Sequence, residues 1–189
     1  MRVRLAPNRD LLNHLDAVTF QTDDLLRIVG QEAELAHEVG MGKRRAARQA
    51  AVQFHFWRDL HGGGAPEKMD DFWEFCPAPT RVRQFAQPLI DGMIAHLPEI
   101  DDRIRKYCEN YDFRRISAVD RNVLRLAIYE MLYRDDIPPV VSINEAIELA
   151  KTFGGPDSGR FVNGILDRVK DDLTRPLREA APPKSEAAE

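Results

Sequence analysis

The sequence has no run of about 18 consecutive apolar residues, so no segment of it is long enough to cross a bilayer as a helix. Its first residues, MRVRLAPNRD, lack the apolar stretch of a secretory signal, and a cytoplasmic, membrane-free protein is expected. Cysteine is scarce. Cys76 and Cys108 are too few for a disulfide scaffold, and neither has a second Cys or a His at metal-ligand spacing. Both are read as reduced thiols, and no metal or other cofactor is expected. The HExxH, P-loop and GxGxxG patterns are absent and the five histidines form no ligand pairs, so no catalytic residue is assigned and no enzymatic activity is expected. Alternating strand patterns are missing too, since Val140 and Val141 alone are too short. No repeat recurs at the roughly 30 to 50 residue periods of solenoids.

What is present is helical periodicity. Ile143, Ala146, Ile147, Ala150 and Phe153 share one helix face, and Phe161, Val162, Ile165, Leu166 and Val169 share another after a turn that holds Gly154, Gly155 and Pro156. Upstream, Val119, Val123, Leu124, Ala127, Ile128, Met131 and Leu132 outline a central core helix, opened by Ser117 with Asp120 as a capping pair. Ser142 with Glu145 repeats that arrangement. Val82 to Leu97 has the cleanest period in the chain, with Thr80 as its N-cap and a bend expected at Pro88. Pro98 suits the first turn of a further helix through Ile100, Ile104 and Tyr107. Pro66 to Phe75 gives a short helix before the breakers Pro77 and Pro79. The expected fold is all-α, a compact bundle with short connections.

Charge is unevenly spread, although the net value is only −4. From Asn8 to Gly40 seven acids face two bases, a net of −5, in one or two predicted helices that Gly40 and Gly42 end. From Met41 to Arg58 there are five bases (Lys43, Arg44, Arg45, Arg48, Arg58) and no acid. On the helix predicted there, Ala47, Ala50, Phe54 and Trp57 form an apolar arc, while Arg44, Arg48 and His55, with Arg45 beside them, form a basic stripe expected to face water. Such a stripe suits a polyanion, and beside aromatic faces it suits single-stranded RNA. The domain boundaries implied are an acidic extension over 1–40, a folded domain over 41–177, and a tail over 178–189 too poor in apolar residues to pack.

The segment ISAVDRNVLRLAIYEMLYRDDIPPVVSINEAIELAKTFGGPDSGRFVNGILDRV, with KRRAARQAAVQFHFW upstream, closely resembles the NusB family of transcription antitermination factors over about Lys43 to Leu173. Residues 1–40 have no counterpart in the usual family outline. The resemblance implies two packed helical subbundles of about seven helices, no catalysis, and binding of boxA RNA on nascent ribosomal transcripts. It implies a heterodimer with NusE, a small-subunit ribosomal protein, acting on the RNA polymerase elongation complex with other Nus factors. By resemblance, RNA contacts fall on the basic helix at Lys43, Arg44, Arg45 and Arg48, and on the aromatic Phe56, where the family commonly has tyrosine. They fall also on Asp157, Ser158, Arg160 and Phe161 in the turn, and on Arg125. Asp120 lies where the NusE-facing surface is expected. The alternative reading is a protein-interaction module of the same fold that has lost RNA binding. The acidic extension would either fold over the basic helix in competition with RNA or mediate self-association into a homodimer.

Overall fold

A computed structural model of the chain describes residues 42–60, 69–108 and 111–179. These form seven α-helices: α1 (Lys43–Leu60), α2 (Met69–Phe75), α3 (Thr80–Ala95), α4 (Leu97–Tyr107), α5 (Ala118–Tyr133), α6 (Pro139–Phe153) and α7 (Ser158–Asp171). One 3-10 turn, Phe113–Arg115, precedes α5, and the described residues contain no strand. The helices predicted within 8–39, the glycine loop after His61 and the end of the tail lie outside the described residues.

The central helix expected from the sequence is α5, which packs against α1, α3, α4, α6 and α7. Val123, Leu124, Ile128 and Met131 are fully enclosed there. On one side α1 lies along α3, and Phe72 of α2 meets Phe54 of α1 edge-on at 5.1 Å between ring centroids. On the other side α6 and α7 pack on each other and on α5. A single apolar cluster runs through both subbundles, from Ala47 and Phe54 to Leu166 and Val169.

The ends of the helices depart from the sequence reading in instructive ways. Ser117 does cap α5, its hydroxyl accepting the Asp120 N–H at 3.0 Å. Ser142 does not cap α6: Pro138 is the cap and Pro139 the first residue, because proline's fixed φ suits the first helical position. Ser142 is therefore interior, and its hydroxyl donates to Glu130 Oε2 at 2.7 Å. Similarly Pro79 rather than Thr80 precedes α3, which continues through Pro88. Pro98 sits in the first turn of α4 as expected.

The segment after α7 returns over the α5–α6 connection. Arg175 donates to the carbonyls of Glu130, Arg134 and Ile137, and Val140 N–H donates to the Leu177 carbonyl at 3.1 Å. A single arginine thus ties this segment to the end of α5 and to the α5–α6 connection, sharing the Glu130 and Arg134 carbonyls with the N–H groups of Arg134 and Ile137. No described helix is long and apolar enough to cross a membrane.

Candidate nucleic-acid interface

The basic helix α1 carries fewer free cations than its sequence suggests. Lys43, Arg44 and Arg45 are exposed in its first turn. Arg48 is not part of a stripe facing water, as it is only 5% exposed. Its Nε donates to Glu130 Oε1 at 2.8 Å, and the same carboxylate receives the Ser142 hydroxyl. The cause is plain: α5 and α6 bring the Glu130 and Glu145 carboxylates under α1, and a buried guanidinium needs such partners. His55, placed on the same stripe, is buried as well. Burial, reinforced by the charges of Arg125 and Arg58, pushes its pKa down to about 3, so the ring is neutral.

Arg45 is exposed yet paired. Its Nε and Nη2 reach Glu145 Oε2 and Oε1 at 2.9 and 2.6 Å, a side-on fork. The hydrogen bond from Arg45 holds the Glu145 carboxyl below its ordinary range. Arg48 Nη1 lies 3.9 Å from the same carboxylate.

Two further expected contacts point inward. Phe56 is fully buried in the core cluster, so its ring has no face for a base. Arg125 is 6% exposed and sits between two carboxylates. It forks onto Asp101 at 2.7 and 2.8 Å, reaches Asp59 at 3.1 and 3.3 Å, and donates to Asn122 Oδ1 at 3.0 Å. Arg121 adds a bond to Asp59 at 3.0 Å. Burial raises the Asp59 pKa, but Arg125 and Arg121 together outweigh it and leave the group lowered. The role of Arg125 is to tie α1, α4 and α5 together. Asp120, expected to face a protein partner, is also largely enclosed, and its Oδ1 is buried with no hydrogen-bond partner.

The turn before α7 is the more open region. Asp157 and Arg160 have side chains 84% and 89% exposed, 3.7 Å apart. Asp157 precedes the helix without a side-chain capping bond. Ser158 is buried: its hydroxyl accepts the Gly155 N–H at 2.9 Å and braces the turn from inside. The turn is tight enough that a Cβ on Gly154 would come within 2.6 Å of the Ala150 carbonyl oxygen and 2.4 Å of Ser158 Oγ. Phe161 is half-buried, and its ring lies 5.7 Å from that of Tyr111.

Around Phe161 opens a cavity of about 460 Å³ whose lining includes Tyr107, Tyr111, Asp157, Arg160, Phe161 and Arg168. Tyr111 is a large exposed aromatic residue, and the Arg115 guanidinium lies 5.7 Å from its ring centroid. An aromatic wall beside arginines is the chemistry that holds a splayed base and its phosphate. The sequence reading missed Tyr107, Tyr111 and Arg168. Tyr111 alone carried a signal, an aromatic in a polar loop beside two arginines.

The two regions are joined by α6. Glu145 meets the start of α1, and the Phe153 end leads into the turn, eight residues or about 12 Å further along the helix axis. Among the described residues no group of three or more His, Cys, Asp or Glu side chains could hold a metal ion.

The sequence profile of the NusB family matches residues 45–171. The chain belongs to the NusB family. Transcription antitermination protein NusB of Sorangium cellulosum is 40% identical over 74% of this chain and 99% of its own length. A solved NusB structure from T. maritima is 39% identical, covers 70% of this chain and 93% of that one, and superposes with a TM-score of 0.62. A chain from the crystal structure of antitermination factors NusB and NusE in complex with dsRNA has a TM-score of 0.57 over 69% of this chain and 98% of that chain. At 24% identity that likeness concerns the NusB fold.

Proposed function

We propose that this chain is a transcription antitermination factor that binds boxA RNA of nascent, chiefly ribosomal, transcripts as a heterodimer with the ribosomal protein NusE. In that role it keeps RNA polymerase elongating, together with other Nus factors and without a catalytic step of its own. The observation that carries the reading is similarity at 40% and 41% identity, over 74% and 72% of this chain and 99% and 100% of theirs, to proteins named transcription antitermination protein NusB.

The exposed side chains support an RNA partner of defined geometry. Lys43, Arg44 and Arg45 supply cations for phosphates at one end of α6, and Arg160 with Arg168 supplies them at the other. Phe161 and Tyr111 offer ring faces between the latter, and Asp157, an acceptor, suits a base amino group rather than a phosphate. Arg48, Phe56, Arg125 and Ser158 support the interface from within rather than touching RNA.

A second reading is a NusB-fold interaction module without RNA binding. It is favoured by one observation, that Arg45 and Arg48 are already paired with carboxylates. The two readings part in a gel-shift assay of a boxA oligoribonucleotide with and without NusE. The first expects a shift that NusE strengthens; capture of NusE with no RNA shift at low salt would establish the second.

A further inference from the structure

Two arginines and two glutamates alternate at the junction of α1, α5 and α6. Arg45 is forked onto Glu145, Arg48 stands between Glu145 and Glu130, and Glu130 also takes the Ser142 hydroxyl. The cluster is electrically neutral. Of its members, Glu130 and Arg48 are enclosed, with side chains 1% and 6% exposed, and their pairing is structural. Arg45 and Glu145 differ, with side chains 47% and 16% exposed, so this pair sits at the rim where a ligand can reach it.

The Nε and Nη2 edge of a guanidinium is one of the edges with which arginine takes an oxyanion side-on, and in Arg45 the Glu145 carboxylate occupies it. A phosphate arriving at α1 therefore meets an arginine whose charge is cancelled and one of whose forks is filled. Among the described residues, Lys43 and Arg44 of that turn have no acid partner at salt-bridge distance, and Arg44 acts electrostatically on Asp136 across the α5–α6 connection.

We propose that Glu145 is a positioning residue that restrains RNA binding: its carboxylate competes with RNA phosphate for Arg45, so that RNA engages this arginine only by displacing an internal acid. This inference rests on the RNA reading above and specifies how that site is tuned. The restraint lowers affinity for any polyanion that contacts α1 alone. A ligand that also occupies the aromatic cavity beside Phe161 gains contacts the acid does not oppose. Glu145 thus favours RNA that spans both ends of α6 over indiscriminate anion binding.

The test is Glu145→Gln, which keeps the side-chain shape and one acceptor for Arg45 while removing the charge, with Glu145→Ala in parallel. Binding of a boxA oligoribonucleotide is measured by fluorescence anisotropy over a series of salt concentrations, and elution salt from immobilised heparin is recorded for the same proteins. Glu145→Gln is expected to bind RNA about three- to fivefold more tightly, the scale of an exposed ion pair. Its log affinity is expected to fall more steeply with log salt by about 0.7, one additional phosphate neutralised on a single strand. Arg45→Ala is expected to change affinity by less than about twofold in the parent, and to abolish the gain in the Glu145→Gln background. A purely structural Glu145 would leave the salt slope unchanged.

Equal or weaker RNA binding by Glu145→Gln, with an unchanged or shallower slope, overturns the proposal and makes Glu145 an aid that orients Arg45 toward phosphate. If neither protein binds RNA, the RNA reading fails by itself, and heparin decides the restraint. Elution at higher salt than the parent supports it, and identical elution overturns it.

Discussion

Replacing Arg125 by alanine separates a structural role from an RNA-contacting one. In the folded chain this guanidinium is the main cation between Asp101 and Asp59, with four close bonds to their oxygens and one to Asn122. Alanine leaves Asp101 without its forked partner and Asp59 with the bonds from Arg121 and Asn122. Breaking one side of a buried ion pair costs about 3–5 kcal/mol, and because Asp59 keeps some solvent access the lower end applies. A loss of about 3 kcal/mol corresponds to a fall of about 6–12 °C in Tm for a domain of this size.

The pH dependence of that variant has a definite sign. A lowered Asp59 pKa means the folded state binds fewer protons than the unfolded state, so its contribution is present above the unfolded value of about 4. It is lost as pH falls through the lowered folded value. Arg125→Ala removes the largest lowering influence on Asp59, and stability should decline less between about pH 5 and pH 3 than in the parent. Urea denaturation followed by circular dichroism, at pH 7 and in steps toward pH 3, measures both quantities. Below the denaturation midpoint the folded variant should bind boxA RNA within about twofold of the parent. Unchanged stability together with lost RNA binding would refute the reasoning and return Arg125 to the interface.

The two phenylalanines make a complementary pair. Phe56→Ala should destabilise by about 3–5 kcal/mol, as full burial predicts, with RNA affinity of the folded fraction preserved. Phe161→Ala should weaken RNA binding by the value of one base stack, about 1–3 kcal/mol, in the same anisotropy assay. His55, neutral and buried with a pKa near 3, is protonated in the unfolded chain well before the folded one. The parent should therefore lose stability as pH falls from about 6.5 toward about 3, and His55→Leu should flatten that decline in denaturation curves. Gly154→Ala should lower Tm, because the added Cβ meets the Ala150 carbonyl oxygen and Ser158 at distances no real Cβ shows, and overpacking of this kind costs about 1–3 kcal/mol.

Most of the fold was legible because helical periodicity is a local signal. The apolar stripe of α5, the breakers around α3 and the proline at the start of α4 each mark an element within a few residues. What was not legible depends on partners far away in sequence. Arg48 looked like part of a solvent-facing stripe because nothing within α1 reveals that Glu130, 82 residues later, lies beneath it. Arg125 and Asp59 are likewise paired across 66 residues. Ser142 and Glu145 matched a capping pattern, yet Pro139 opens the helix first and frees both for long-range bonds to Glu130 and Arg45.

The turn was read more closely. Asp157 and Arg160 are exposed and Phe161 is half-buried, while Ser158 faces inward. The cavity beside them needed Tyr107 and Tyr111, about 50 residues upstream, and these come together only because α4 packs against α7.

The central claim is that this NusB-family chain binds boxA RNA through exposed cations at both ends of α6. Its most direct test is the salt dependence of boxA oligoribonucleotide binding for the parent and for Lys43→Ala, Arg44→Ala and Arg160→Ala. The account predicts binding that weakens linearly on a log–log plot, with each substitution making the slope shallower by about 0.7 at unchanged Tm. Absence of binding at low salt, with NusE present or not, or slopes identical in all four proteins, would contradict it.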